Sequence, residues 1–145
     1  MKRILLIGYG NPGRLDDGLG PALASTFQGL ELSNLTVESN YQLNVEDAAQ
    51  IAEHDVVIFA DASTDAEPLF TFTPVEAERG ELSFSSHSVS APQLLGMTEE
   101  LFGKKPEAWM LAIRGVDFNE FGERLSEQAV QNLEAAAAFL KKWLS

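Results

Sequence analysis

Apolar and polar positions fall into short blocks along this chain, and the blocks predict alternating strands and helices. Arg3 to Gly8 carries the run Ile4-Leu5-Leu6-Ile7 closed by glycine, the mark of a strand buried on both faces. The stretch from Asp17 to Phe27 then predicts a helix, which gives a β-loop-α opening. A second strand fits Leu35 to Ser39. Asn44 is the expected N-cap of the next helix, in which Val45, Ala48, Ala49 and Ala52 share one apolar face. The apolar block Val56-Val57-Ile58-Phe59-Ala60 predicts a third strand, ending at Asp61. Leu69 to Pro74 alternates as a strand exposed on one side. Glu81 to Ser85 is expected to pair beside it after a turn near Arg79-Gly80.

Ser90-Ala91-Pro92-Gln93 combines a capping box with a proline in the first turn, so a helix is expected from there to Phe102, stopping at Gly103. Trp109 to Ile113 predicts the last strand. After a polar loop from Asp117 to Glu123, Ser126 caps a helix carrying Val130, Leu133, Ala137, Leu140 and Leu144, with Lys141 and Lys142 suited to its C-terminal dipole. Strands alternating with helices imply an α/β fold. The expectation is a three-layer α/β/α arrangement of residues 1–145 as a single domain, on a mostly parallel twisted sheet of about five strands, one of them antiparallel. In such sheets ligands bind beyond the carboxyl ends of the strands, so polar residues there carry the search for chemistry.

Composition narrows the chemistry. With 145 residues, of which 45% are apolar and 22% charged, the chain can build one core without staples. Its 22 acidic and 10 basic side chains give a formal charge of −12, which repels nucleic-acid phosphates and anionic lipid surfaces. Cysteine is absent, which excludes disulfides, thiolate zinc sites, protein-held iron–sulfur clusters and a cysteine nucleophile. Any metal must be met by oxygen and nitrogen. The apolar run after Met1-Lys2-Arg3 stops too soon for a signal peptide, and no stretch approaches the ~20 apolar residues of a membrane span. A cytoplasmic monomer is expected.

Three places at predicted strand ends could carry chemistry. The first is Gly8-Tyr9-Gly10-Asn11-Pro12-Gly13-Arg14-Leu15-Asp16-Asp17-Gly18-Leu19-Gly20, where two acids arrive as a helix begins. One acid suffices as a cap; a second beside it must tolerate like-charge repulsion, which a cation would relieve. The same stretch matches Gly-x-Gly-x-x-Gly at Gly8, Gly10 and Gly13, and Glu38 sits where a ribose hydroxyl is held in dinucleotide-binding folds. Against that reading, the two acids oppose a pyrophosphate and Pro12 removes a backbone donor. The second place is Asp61, also readable as a turn acid; Asp65 and Glu67 read as solvated loop charges. The third is His87 in a serine-rich loop, whereas His54 reads as a helix-end residue and Arg114 as a solvated strand end.

Two carboxylates and an imidazole at one sheet edge suit a divalent transition metal with open positions for a substrate. No Gly-x-Ser-x-Gly elbow or His-Glu-x-x-His helix is present, so water is the expected nucleophile. Scattered apolar positions at Tyr41, Leu43, Phe118 and Phe121 read as exposed.

Taken in order, Gly8-x-Gly10-Asn11, Asp16-Asp17-Gly18-x-Gly20, Ala60-Asp61-Ala62 and Ser86-His87 before Leu94-Leu95 resemble the hydrogenase maturation endopeptidases, across most of the first two-thirds of the chain. The resemblance implies a peptidase that removes a C-terminal peptide from the nickel-loaded large-subunit precursor of a nickel–iron hydrogenase. It implies that Asp17, Asp61 and His87 engage the nickel and carry catalysis, with Asp16 a structural neighbour. The nickel belongs to the substrate, already held there by thiolates, and is not expected to stay bound to this chain. One departure is Ser39-Asn40-Tyr41-Gln42-Leu43, where many members of the family carry a turn like Asp-Gly-Gly-Thr; it is more similar to the branch serving soluble hydrogenases. Besides a dinucleotide-binding protein, a nickel-dependent docking module that cuts nothing uses the same residues.

Overall fold

The computed structural model describes residues 2–66, 69–78 and 89–145. Five strands form one sheet: β1 (Ile4–Tyr9), β2 (Leu35–Asn40), β3 (Val56–Ser63), β4 (Phe70–Pro74) and β5 (Glu107–Arg114). Their spatial order is β2-β1-β3-β5-β4, with β4 antiparallel to β5 and every other pair parallel. The helices are α1 (Leu19–Gln28), α2 (Asp47–Ala52), α3 (Ala91–Phe102) and α4 (Glu127–Leu144).

The apolar runs of β1 and β3 bury both faces, as parallel strands under two helical layers must. Leu6 and Ile58 point to one face, where they meet Leu19, Leu23 and Phe27 of α1 and Ala136 and Leu140 of α4. Leu5, Ile7, Val57 and Phe59 point to the other, against Ala48 and Ile51 of α2 and Leu94 and Leu95 of α3. The three-layer α/β/α expectation holds. Phe72 stacks on Trp109 with ring centroids 4.8 Å apart, and Phe139 and Trp143 of α4 close over the β4 edge.

The two ends of α3 and the start of α4 follow their expected capping residues. Ser90 Oγ accepts the Gln93 N–H at 3.2 Å while Gln93 Oε1 accepts the Ser90 N–H at 3.0 Å, and α3 ends at Gly103 in the left-handed region with φ 66°. Ser126 Oγ accepts the Ala129 N–H at 3.1 Å to open α4.

Four expectations are corrected. α1 starts at Leu19, because Leu15–Gly18 form a turn of 3₁₀ helix first. Asn44 does not cap α2; the helix begins at Asp47, whose carboxylate reaches back to the Asn44 N–H at 2.9 Å. Leu43 is buried, packed with the α2 and α3 core rather than exposed. β3 continues past Asp61 to Ser63, since Asp61, Ala62 and Ser63 pair with Ala112, Ile113 and Arg114 of β5. The expected strand at 81–85 and turn at 79–80 lie outside the described residues.

From β1 the chain crosses to β2 on one side, and from β2 it returns across β1 to β3 on the other. The carboxyl ends of β1 and β3 therefore flank the topological switch point, where a crevice opens in sheets of this kind.

Candidate active site

Glycine spacing brings the first acids to that crevice. A Cβ on Gly20 would fall on the carbonyl oxygens of Tyr9 and Ala60, and one on Gly8 would fall on the Gly20 carbonyl. Only hydrogen at both positions lets α1 start directly against the ends of β1 and β3. Gly10 adopts φ +142°, and any side chain there would meet the Asp17 carbonyl. The loop thus folds back over Asp17.

Asp17 is half-buried, and its Oδ2 accepts the Asn11 N–H at 2.7 Å. Asp61 follows directly on the buried part of β3, with Oδ1 accepting its neighbour's N–H, that of Ala62, at 2.8 Å. Burial pushes the Asp61 carboxyl up; the Ala62 N–H pulls it back, the Asp17 charge raises it again and the Tyr9 hydroxyl lowers it, leaving it at about 6. Burial first, then the Asp61 charge and hydrogen bond, holds the Tyr9 phenol far above its ordinary range. Asp61 is thus under the influence of both Asp17 and Tyr9 at the carboxyl end of the sheet.

Asp16 points elsewhere. It is fully buried, and its carboxylate accepts from the Val116 N–H at 2.8 Å, the Asp117 N–H at 2.9 Å, and the Ser126 N–H and hydroxyl at 2.8 and 2.7 Å. Burial alone would raise this carboxyl, but the Ser126, Asp117 and Val116 N–H groups and the Ser126 hydroxyl bring it below its ordinary value. Neither acid caps α1, whose N-cap Gly18 has no side-chain bond.

His87 lies outside the described residues, as does Glu67. Among the described residues no group of three His, Asp or Glu side chains is placed to hold a metal ion. His54 is buried at the end of α2, its Nδ1 2.8 Å from the Gln50 carbonyl oxygen. Asp65 is exposed, and Arg114 donates to the Ala66 carbonyl at 3.3 Å. Tyr9 escaped the sequence reading, which followed only the motif's acids. Strand alternation was the available signal, since it puts Tyr9 on the same face as Leu5 and Ile7.

The glycine-rich loop has no donors to spare for a pyrophosphate. The N–H groups of Gly10, Arg14, Leu15, Asp16 and Asp17 bond to backbone carbonyls, those of Asn11 and Gly13 to Asp17 and Asn11 side chains, and Pro12 has none. Glu38 is engaged by the Gln50 amide at 3.0 Å.

Several solved structures with this architecture are hydrogenase maturation proteases. The NiFe hydrogenase maturation protease HycI from Thermococcus kodakarensis superposes with a TM-score of 0.74 at 19% identity, covering 97% of this chain and 91% of its own. The hydrogenase maturating endopeptidase HybD from E. coli gives 0.72 at 18% identity, covering 95% and 89%. A hydrogenase 2 maturation peptidase from a Thaumarchaeota archaeon gives 0.72 at 21% identity, covering 99% and 98%. This chain has the hydrogenase maturation protease fold. No protein-family model matches the chain, and no curated protein sequence matches it. In the maturation protease fold, then, Asp17 and Asp61 stand at the switch point of a sheet that superposes over nearly its whole length on these peptidases.

Proposed function

We propose that this protein is an endopeptidase that removes a C-terminal peptide from the nickel-loaded large-subunit precursor of a nickel–iron hydrogenase. The observation that carries the reading is the meeting of Asp17 and Asp61: two carboxylates, one from the 3₁₀ turn before α1 and one from β3, near enough for the charge of one to raise the pKa of the other, with no Lys or Arg paired to either among the described residues. Such a pair suits an incoming cation. The maturation protease fold and the ordered motifs supply the class of reaction.

The nickel enters as part of the substrate, held by the precursor's thiolates. A cysteine-free chain adds only oxygen and nitrogen ligands, here Asp17, Asp61 and His87. Asp61, with its carboxyl near neutrality, suits proton transfer to or from a water that attacks the scissile carbonyl. Asp16 ties the catalytic loop to the chain around residues 116–126 and so fixes where Asp17 stands. The reading places the enzyme in the cytoplasm, acting as a monomer; among the described residues no helix is long and apolar enough to cross a membrane.

The test mixes the protein with a nickel-loaded large-subunit precursor and reads product masses. A shorter product supports the peptidase; a stable nickel-dependent complex without mass loss shows a docking module instead. Asp17→Ala, Asp61→Ala and His87→Ala should each abolish cleavage while leaving the domain folded by circular dichroism. Normal cleavage by all three variants rejects the assignment.

A further inference from the structure

Asn11 completes the motif Gly8-x-Gly10-Asn11 but has no part in the ligand set above. Three of its atoms are nonetheless bonded around Asp17. Its N–H donates to Asp17 Oδ2 at 2.7 Å, its carbonyl accepts the Arg14 N–H at 3.0 Å, and its side-chain Oδ1 accepts the Gly13 N–H at 2.8 Å. The Asp17 N–H in turn donates to the Arg14 carbonyl at 3.1 Å. A ring of bonds therefore runs from Asn11 to Arg14, from Arg14 to Asp17, and from the Asp17 carboxylate back to Asn11.

That ring commits one carboxylate oxygen and spares the other. Oδ2 of Asp17 is taken by the Asn11 N–H, whereas among the described residues Oδ1 accepts no hydrogen bond. The N–H is held in place from its own side chain. Gly13 is anchored outside the loop, its carbonyl accepting the Gly122 N–H at 2.7 Å. Pro12 offers no donor, so the Oδ1 bond of an Asx turn carries the hold from that anchor back to Asn11. We propose that Asn11 is a positioning residue: by closing this turn, its side chain keeps its own N–H on Asp17 Oδ2 and leaves Oδ1 as the oxygen offered to a cation. That a cation is what arrives rests on the function proposed above; the positioning does not.

Two measurements test this on four variants. Asn11→Asp and Asn11→Ser keep an acceptor oxygen; Asn11→Leu and Asn11→Ala lack one, while Asn11→Leu keeps the bulk. In the first, amide hydrogen exchange at residue 11 of the metal-free protein is read as a protection factor, which removes the intrinsic effect of each side chain. Asn11→Ala and Asn11→Leu should lower that protection about tenfold, and Asn11→Asp and Asn11→Ser by no more than about threefold. Asp17→Ala, which removes the acceptor of the N–H, should lower it at least as far as Asn11→Ala. Undiminished protection in Asn11→Ala, or losses that follow side-chain size instead of the acceptor, overturns the proposal. In the second, the nickel-loaded precursor is the substrate. Asn11→Ala and Asn11→Leu should reduce kcat/KM about tenfold, because a ligand oxygen is misplaced, and the two acceptor-bearing variants should stay within about threefold of wild type. Equal rates across the four variants also overturn it. If wild type cuts no precursor, the peptidase reading falls, while the exchange measurement still decides whether Asn11 positions Asp17.

Discussion

Asp16 and Ser126, 110 positions apart, are joined by two hydrogen bonds: Ser126 donates its N–H to Oδ1 at 2.8 Å and its hydroxyl to Oδ2 at 2.7 Å. Ser126 also opens α4, so one buried acid ties the loop after β1 to the start of the last helix. Removing this carboxylate takes the charged acceptor from four part-buried hydrogen bonds, each worth about 1.5–3 kcal/mol when made to a charged group. Asp16→Ala should therefore lose more than about 3 kcal/mol at pH 7. Because the folded carboxyl lies below its ordinary value of 3.8, its contribution is complete above that value and fades as pH falls through the lowered one. Urea denaturation checks both statements; a loss below about 1 kcal/mol would show that the network relaxes without its acceptor.

Gly20 and Gly29 separate a steric need for glycine from an ordinary helix end. A Cβ on Gly20 collides with two strand carbonyls, whereas one on Gly29 meets only carbonyl oxygens at 3.6 and 3.9 Å, with φ at −69°. Gly20→Ala should push α1 off the sheet, cost about 1–3 kcal/mol or more, and displace Asp17. Gly29→Ala should be neutral or stabilise by about 0.4–1 kcal/mol. Thermal melts of the two variants make the comparison, and equal melting temperatures would mean that the close approach is not rigid.

Asp61 should make the metal-free protein more stable in mild acid than its other carboxylates would suggest. Its folded carboxyl titrates at about 6 against an ordinary 3.8, so between those values the folded chain binds the proton more tightly than the unfolded chain. The contribution is neutral below the ordinary value and grows destabilising as pH rises through the folded one, reaching at most about 3 kcal/mol. Asp61→Asn should accordingly raise stability at pH 8 and gain nothing at pH 4. Denaturant midpoints at the two pH values are the measurement; an equal gain at both would assign the effect to packing.

How much of this was readable from residues alone depends on whether the signal was local. The capping box at Ser90 and Gln93, the stop at Gly103 and the buried runs of β1 and β3 depend on neighbours in sequence, and all appear where expected. Asn44 failed because the acceptor chosen by the chain was Asp47, three residues on, with the bond running in the opposite direction. Asp16 was read correctly as a structural neighbour, but its donors lie 100 to 110 positions away, beyond any spacing rule. Motif order and strand ends led to the expectation of Asp17, Asp61 and His87 at one sheet edge, of which His87 lies outside the described residues; the influence of Asp61 on Tyr9 depends on β1 lying beside β3, which the separate strand patterns do not specify.

The dinucleotide reading makes a clear contrary prediction. Every N–H between Gly10 and Asp17 is already bonded within the chain, and the Asp17 carboxylate occupies the donor of Asn11 that a phosphate would need. Anion binding at such a loop depends on unpaired donors. Calorimetry with NAD or NADP should show no binding, and a micromolar dissociation constant would require the loop to open and would revive that reading.

Metal dependence should reside in the precursor and not in this chain. Asp17 and Asp61 supply hard oxygen donors, and without cysteine the protein has no thiolate with which to retain a soft or borderline ion. Purified protein should carry well under one nickel per chain, and treating it with a chelator that is then removed should leave its activity unchanged. Stripping nickel from the precursor should abolish cleavage, because the two neighbouring acids then lose the cation that draws substrate between them. Elemental analysis of each partner alongside product masses separates the cases. Loss of activity on chelating the protein alone, restored by adding nickel back to it, would make the metal a resident cofactor and reverse the direction in which it is delivered.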